Sequence, residues 1–200
     1  MALVMLCGAQ VAFGQATGPK PDPKPDPTTS SSSGYRPAPS TNTKDDVQAL
    51  PIDAPAGSKV VVIPIDRTVE LGLAAFVRRV VESNEDAAAI ILEINTLGGR
   101  VDAAIQIRDA GLEATPRTVA FIHPRAISAG ALIALACDNV IMSEGATIGA
   151  ATPVQAGGGQ AQAVGEKMVS YMRAEMRATA EANGRRGDIA EAMVDSCLLY

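Results

Sequence analysis

From Lys59 onward the sequence returns again and again to short β-branched or aliphatic runs, and the intervals between them carry apolar residues at helical spacing. Val60-Val61-Val62-Ile63-Pro64-Ile65, Ala88 to Ile94 (AAIILEI) and Val119-Ala120-Phe121-Ile122 read as buried strands. After the first, Val69, Leu73, Phe76, Val77 and Val80 recur on one helix face, with Thr68 as the expected cap and Arg78 and Arg79 on the solvated side. After the second, a loop from Asn95 to Arg100 leads into a helix from about Val101 to Glu113, with Val101, Ile105 and Leu112 inward and Thr115-Pro116 as its stop. Strands separated by helices pair in parallel through crossovers. The fold class is therefore α/β, built of βαβ units on a mainly parallel sheet.

Further on, Asp138-Asn139 reads as a turn, Val140-Ile141-Met142 as a short strand, Glu144-Gly145 as a turn and Thr147-Ile148-Gly149 as another strand. Gln155 to Gly165, with Gly157-Gly158-Gly159, is expected to be a flexible loop. A helix then runs from about Val164 to Ala182 and closes on Asn183-Gly184 as a left-handed cap. Asp188 with Glu191 has the spacing of a capping box opening a last helix.

The N-terminal part is different in kind. Residues 2–13, ALVMLCGAQVAF, are apolar but too short to span a bilayer comfortably, and Gly14-Gln15-Ala16 offers small residues for a signal peptidase. Residues 1–16 are read as a signal peptide or short anchor, despite the missing basic start. The protein is then expected to be exported, periplasmic or membrane-associated on the extracytoplasmic side. Across residues 17–56, Pro19, Pro21, Pro23, Pro25 and Pro27 alternate with Lys and Asp before the run Ser30 to Ser33, which predicts a disordered Pro/Ser-rich linker. Residues 57–200 form the one domain, whose core must be aliphatic and alanine-rich because aromatics make up only 3% of the chain. A net charge of −5 argues against a nucleic-acid surface. Cys7, Cys137 and Cys197 have neither metal-ligand nor disulfide-framework spacing, so no metal is expected, and Cys137 reads as a small core residue.

Three pieces carry chemistry. Ser128-Ala129-Gly130 joins a strand to the apolar helix Ala131 to Cys137, so Ser128 stands where unpaired N–H groups and the helix dipole favour developing negative charge. It can be a simple N-cap or a nucleophile. Gly98-Gly99, between a strand and a helix, either supplies backbone N–H groups to a ligand or merely provides a turn. Lys167 lies 39 positions after Ser128 (167 − 128) and shares a helix strip with Tyr171, Ala174 and Ala178. On a strip that apolar it would be partly desolvated and able to act as a neutral base; the alternative is a surface lysine pairing with Glu166. His123, the only histidine, precedes a proline and has no evident orienting acid, and no G-x-S-x-G elbow surrounds Ser128.

EINTLGGRV, followed by RAISAGALIALACDNVIMSEGATIGAATPV and EKMVSYMRAEMRATAEANGR, resembles the ClpP-like serine proteases, in particular the NfeD-like membrane-bound group, with signal-peptide peptidase A more distant. The resemblance covers roughly Lys59 to Asp195. It implies a crotonase/ClpP-like superhelix of βαβ units and a Ser–Lys dyad that needs no cofactor. Ser128 would be the nucleophile and Lys167 the general base, with Gly98, Gly99 and Ala129 forming the oxyanion and substrate-backbone region. It also implies a serine endopeptidase acting on hydrophobic segments of membrane-associated proteins, stomatin-like partners and a homo-oligomer. Leu97 stands where such proteins usually carry proline. Their architecture continues with transmembrane helices and a small β-barrel domain, so a C-terminally truncated domain is expected. Two other readings compete: a catalytically impaired scaffold binding through the same groove, and an acyl-CoA enzyme of the crotonase type, which would leave Ser128 and Lys167 unexplained.

Overall fold

The computed structural model describes residue 55 and residues 57–157, 160–163 and 165–195. The expected signal segment and nearly all of the expected linker lie outside these residues. The elements run β1 (Val60–Val69), α1 (Leu71–Glu82), β2 (Ala89–Gly99), α2 (Val101–Leu112), β3 (Arg117–Ile127), α3 (Ala129–Leu135), β4 (Asn139–Met142), β5 (Thr147–Gly149), β6 (Val154–Gly157), β7 (Gln160–Ala163), α4 (Glu166–Ala182) and α5 (Gly187–Ala192). The sheet order is β1-β2-β3-β4, every pair parallel. β4 follows β3 along Val119 to Ile122, and β5 takes over the same edge at Arg125 to Ile127. The predicted α/β class and its parallel sheet are thus present.

Strand alternation decides which face is covered. Ile63 and Ile65 of β1, Ile90, Leu92 and Ile94 of β2, and Ala120 and Ile122 of β3 are buried against the helices. The intervening positions Val60, Val62, Pro64, Glu93 and His123 are exposed on the other face. Alanine supplies much of the helical side of this interface (Ala74, Ala103, Ala104), which lets helices sit close to the strands without aromatic filler.

Several element ends differ from expectation. β2 and β3 do not stop at Ile94 and Ile122 but continue to Gly99 and Ile127, because ladder pairing with β1 and β5 outweighs the polar, turn-like composition there. Thr68 remains in β1; α1 is capped by Glu70, whose carboxylate accepts the N–H groups of Gly72 (3.0 Å) and Leu73 (2.9 Å). Phe76 is 40% exposed, with the Arg79 guanidinium 6.0 Å from its ring centre, while Ala74, Val77 and Val81 form the buried stripe. The α2 stripe is also rotated, with Ala103, Ala104 and Ile107 fully buried and Val101, Ile105 and Leu112 only partly so. The glycine-rich segment expected to be a loop forms the antiparallel hairpin β6–β7. Asp188 lies inside α5 and pairs with Arg186, and Glu191 pairs with Arg177 of α4, so no capping box forms.

Helix α3 is the centre of the molecule. All of its seven residues are buried, and a helix this short has no stability of its own. Its C-terminal end is tied down from two sides. The carbonyl of Leu135 accepts Asn183 Nδ2 (2.9 Å) and Arg185 Nη1 (3.1 Å), and that of Asp138 accepts Arg185 Nη2 (2.9 Å). The Asp138 carboxylate accepts the N–H (2.7 Å) and hydroxyl (3.0 Å) of Thr118 at the start of β3. The left-handed Gly184 (φ 68°) turns the chain so that Arg185 can reach back, as the Asn183-Gly184 signal predicted.

Cys137, next to the end of α3, is fully buried, and burial pushes its thiol up to about 12. Because the folded thiol keeps its proton above the ordinary 9.0, the stability this adds is intact below pH 9 and is lost as the pH rises towards 12. Only the thiolate alkylates. At pH 8 the peptide containing Cys137 should therefore remain unmodified by iodoacetamide in the native protein and react fully in urea, read by peptide mass mapping.

A second expectation concerns the end of β2. A Cβ on Gly99 would lie 2.0 Å from the Val69 carbonyl oxygen and 2.6 Å from its nitrogen. Gly99→Ala should cost about 2–3 kcal/mol through forced separation of β1 and β2, seen as a lower urea midpoint.

Candidate active site

β3 delivers the chain to Ser128 at the N-terminal end of α3. Two observations separate this serine from an ordinary cap. Its φ of 54° and ψ of −114° lie outside the extended region that capping residues adopt, and its side chain accepts no hydrogen bond from the helix. A non-glycine residue in this conformation is strained by about 1–3 kcal/mol and persists only where the surroundings enforce it. They do: the Ser128 N–H donates to the Gly149 carbonyl of β5 (2.8 Å), and its carbonyl accepts the Ala131 N–H (2.9 Å). A strained strand-to-helix turn of this kind pushes a serine hydroxyl away from the helix it heads. The first-turn N–H groups of Ala129 and Gly130, both buried, follow it directly.

The glycine pair is brought to this serine, but its two members do different things. Gly98 has φ 115°, and a Cβ there would lie 2.7 Å from Ser128 Cβ and 3.1 Å from Ser128 Oγ, so the missing side chain is the space the serine occupies. Gly99 is bare for the sake of β1, as its contact with Val69 shows. Thr68 and Val69 pair with Gly98 and Gly99, so that edge of the turn is already taken by the chain itself. An extended substrate pairing there in β fashion would have to use the other edge.

Sequence reasoning passed over Thr96. It is 1% exposed; its hydroxyl accepts the Gly98 N–H (2.9 Å) and donates to the Arg67 carbonyl. The Gly98 N–H, expected to face a developing oxyanion, is therefore held by a side chain in this state. The methyl group of Thr96 packs against α3, since a Cβ on Gly130 would come within 2.6 Å of it. The signal was present in the stretch Asn95-Thr96-Leu97-Gly98-Gly99: a hydroxyl two residues before a positive-φ glycine can close an ST turn.

Lys167 sits in the first turn of α4 and is exposed. The expected desolvation is absent, because Tyr171, Ala174 and Ala178 face solvent, and α4 buries the strip of Met172, Met176, Thr179 and Ala180 instead. No hydrogen bond joins Lys167 to Ser128, and it pairs with no carboxylate among the described residues; Glu166 pairs with Arg173. His123 is turned away as well. Its Nδ1 is 3.0 Å from Ser143 Oγ and its ring stacks on Phe121 at 5.9 Å, on the uncovered sheet face. Among the described residues, no group of three or more His, Cys, Asp or Glu side chains is placed to hold a metal.

Replacing Thr96 by valine should leave the Gly98 N–H buried without an acceptor, at about 1–3 kcal/mol. Thr96→Ser should keep most of that stability, and the two urea midpoints separate the hydroxyl from the methyl contribution.

With the geometry in place, comparison with known proteins identifies the family. The profile described as "NfeD1b, N-terminal domain" matches residues 59–198, and the chain belongs to that family. It is 43% identical to the membrane protein NfeD1b of Bacillus subtilis over 138 residues, which are 68% of this chain and 31% of the relative. It is 30% identical to the membrane-bound protease PH1510 of Pyrococcus horikoshii over 119 residues, 57% of this chain and 27% of the relative. The chain thus spans less than a third of the length of these curated relatives. Among solved structures it resembles the 1510-N membrane-bound stomatin-specific protease. A lysine-to-alanine mutant with a substrate peptide superposes with TM-score 0.66 at 27% identity, over 72% of this chain and 68% of that one. A serine-to-alanine mutant gives 0.65 at 27% identity, over 70% and 72%. ClpP1 from Listeria monocytogenes, with TM-score 0.51 and 22% identity over 67% of this chain and 78% of that one, shares the fold. The ClpP-like fold expected from the sequence is present.

Proposed function

Starting from a ClpP-like domain of the NfeD1b family, we propose that the chain is a serine endopeptidase in which Ser128 attacks the peptide carbonyl and Lys167 accepts its proton. The observation that carries this reading is the conformation of Ser128: a serine forced to φ 54°, free of any capping bond, heading a rigid buried helix. The hydroxyl stands beside the Gly98 turn on one side and the first-turn N–H groups of α3 on the other. The Ala129 N–H supplies one donor to the tetrahedral oxyanion. Gly98 supplies the second once Thr96 releases its N–H to the more strongly accepting anion.

Lys167 must approach for this chemistry. It lies in the first turn of α4 and is exposed, so on this reading that end of the helix moves when the amine engages Ser128. Relatives support the substrate class: one solved relative is a stomatin-specific protease, and its lysine mutant holds a substrate peptide. We extend this to hydrophobic segments of membrane-associated proteins, with stomatin-like proteins as partners and self-association of the domain. Curated relatives are named membrane proteins, consistent with a membrane-associated site of action; no helix among the described residues is long and apolar enough to cross a bilayer. The domain boundary proposed is 57–200, with 1–16 as an export signal or anchor and 17–56 as its linker.

A second reading rests on a specific observation. With Lys167 exposed and the Gly98 N–H occupied, the same groove would serve as a binding scaffold that does not cut. A fluorophosphonate probe separates the two. The protease reading expects labelling of the parent protein at Ser128, none in Ser128→Ala, and a loss of peptide hydrolysis of about a thousandfold or more in that variant. Lys167→Ala should slow both labelling and hydrolysis. Equal labelling of parent and Ser128→Ala would sink the assignment.

A further inference from the structure

The ladder between β1 and β2 slips at one place, between Asp66 and Thr68, where Arg67 of β1 stands opposite two residues of β2, Thr96 and Leu97. Arg67 has φ 64°, a conformation in which glycine would be comfortable and a long side chain is strained. Bulges re-aim side chains and gather next to active sites. This one lies at the level of the glycine turn: the Arg67 carbonyl is the acceptor of the Thr96 hydroxyl, and the next residue, Thr68, pairs with Gly98. The guanidinium side chain is 91% exposed, so nothing in the packing requires arginine here.

A second cation reaches the same place. Arg125 on β3 lines one cavity of about 260 Å³ together with Arg67, Leu97 and Gly98, the last of which lies against Ser128. Arg125 makes no hydrogen bond or ion pair among the described residues. Asp66 partly offsets Arg67, with an oxygen 3.8 Å from its Nε, but the same carboxylate is engaged by the Arg67 N–H (2.9 Å) and by Asn95 Nδ2 (3.3 Å). What remains is a local excess of positive charge beside the nucleophile, in a chain whose net charge is −5.

We propose that Arg67 and Arg125 form an anionic subsite, selecting peptides with an acidic side chain close to the scissile bond, while Leu97, 70% exposed at the rim, meets the apolar part of the same peptide. This deepens the protease reading and rests on it for the identity of the ligand. Substrates are then apolar segments bordered by Asp or Glu, as where a hydrophobic stretch meets an acidic surface loop. The two cations are specificity residues and take no part in the bond-breaking step.

The test uses the full chain and a set of fluorogenic apolar peptides, each carrying a single Glu, Gln or Lys at successive positions. Hydrolysis is measured with the parent protein, and binding by anisotropy with Ser128→Ala. At one or two positions Glu should exceed Gln by about three- to tenfold in both kcat/KM and affinity, with Lys below Gln. The preference should shrink at about 0.5 M salt. Arg67→Gly relieves the positive φ, so its melting temperature should be unchanged or raised while the Glu preference falls; Arg125→Gln should lower it similarly, and the double variant should abolish it. Glu no better than Gln at every position, or a preference surviving in the double variant, overturns the subsite. If Glu-selective binding persists but no peptide is cut, the subsite stands and the hydrolytic reading fails. If Ser128-dependent cleavage shows no charge preference, the reverse holds. Binding to phosphatidylglycerol vesicles that the double variant loses, with no peptide discrimination, would assign the cations to a lipid surface and overturn the proposal.

Discussion

The hydroxyl of Thr96 is the small interaction on which the arrangement of the site depends. It is buried where three elements meet: β1 at the register slip, through the Arg67 carbonyl; the turn ending β2, through the Gly98 N–H; and α3, through its methyl group against Gly130. An unpaired N–H at this depth would cost more than a typical hydrogen bond contributes, so the turn and the bulge are fixed together. Gly130 must lack a side chain for α3 to come this close, and Gly98 must lack one for Ser128 to fit. The serine is therefore placed by what is missing from its neighbours as much as by contacts of its own.

The same design explains how strain at Ser128 is tolerated. Helix α3 has no solvent-facing residue and is held at its far end by Asn183, Arg185 and Asp138. With the helix immobile and the Ser128 N–H fixed to Gly149 of β5, the backbone between β3 and α3 has no freedom to relax to an ordinary cap. The Ser128 hydroxyl is thus preorganised by core packing. Lys167 lies on a different element, in the first turn of α4, and is exposed.

Much of this was legible from residues alone, for physical reasons that also mark where reading stops. The β-branched runs at Val60 and Ala88 located the strands because side-chain alternation reports burial directly. The Ser128-Ala129-Gly130 junction pointed to the candidate site because a strand, a serine and an apolar helix in that order leave few geometries. The ends of β2 and β3 were not legible, since Asn95 to Gly99 and His123 to Ile127 are strand only through partners distant in sequence. Arg67 carried no signal at all: a bulge arises from the register of two strands and leaves no trace in the composition of one. Phe76 misled for the opposite reason. It fits the helical stripe by spacing, yet the face turned to the sheet is the one with alanine, where close approach is possible.

The disposition of Lys167 follows from which strip of α4 is most apolar. Two strips were available on that helix, and the one with Met172 and Met176 is buried because α4 packs there on α3 and α5, leaving Lys167 and Tyr171 outward. Spacing from Ser128 therefore could not say which way the amine would face. The side chains next to it, Met168 at 43% and Tyr171 at 42%, are exposed as well. In the single chain Ser128 is held in place by the core, whereas Lys167 is exposed. The positioning of Ser128 is therefore set by the packing of α3, and that of Lys167 by which strip of α4 the core takes up.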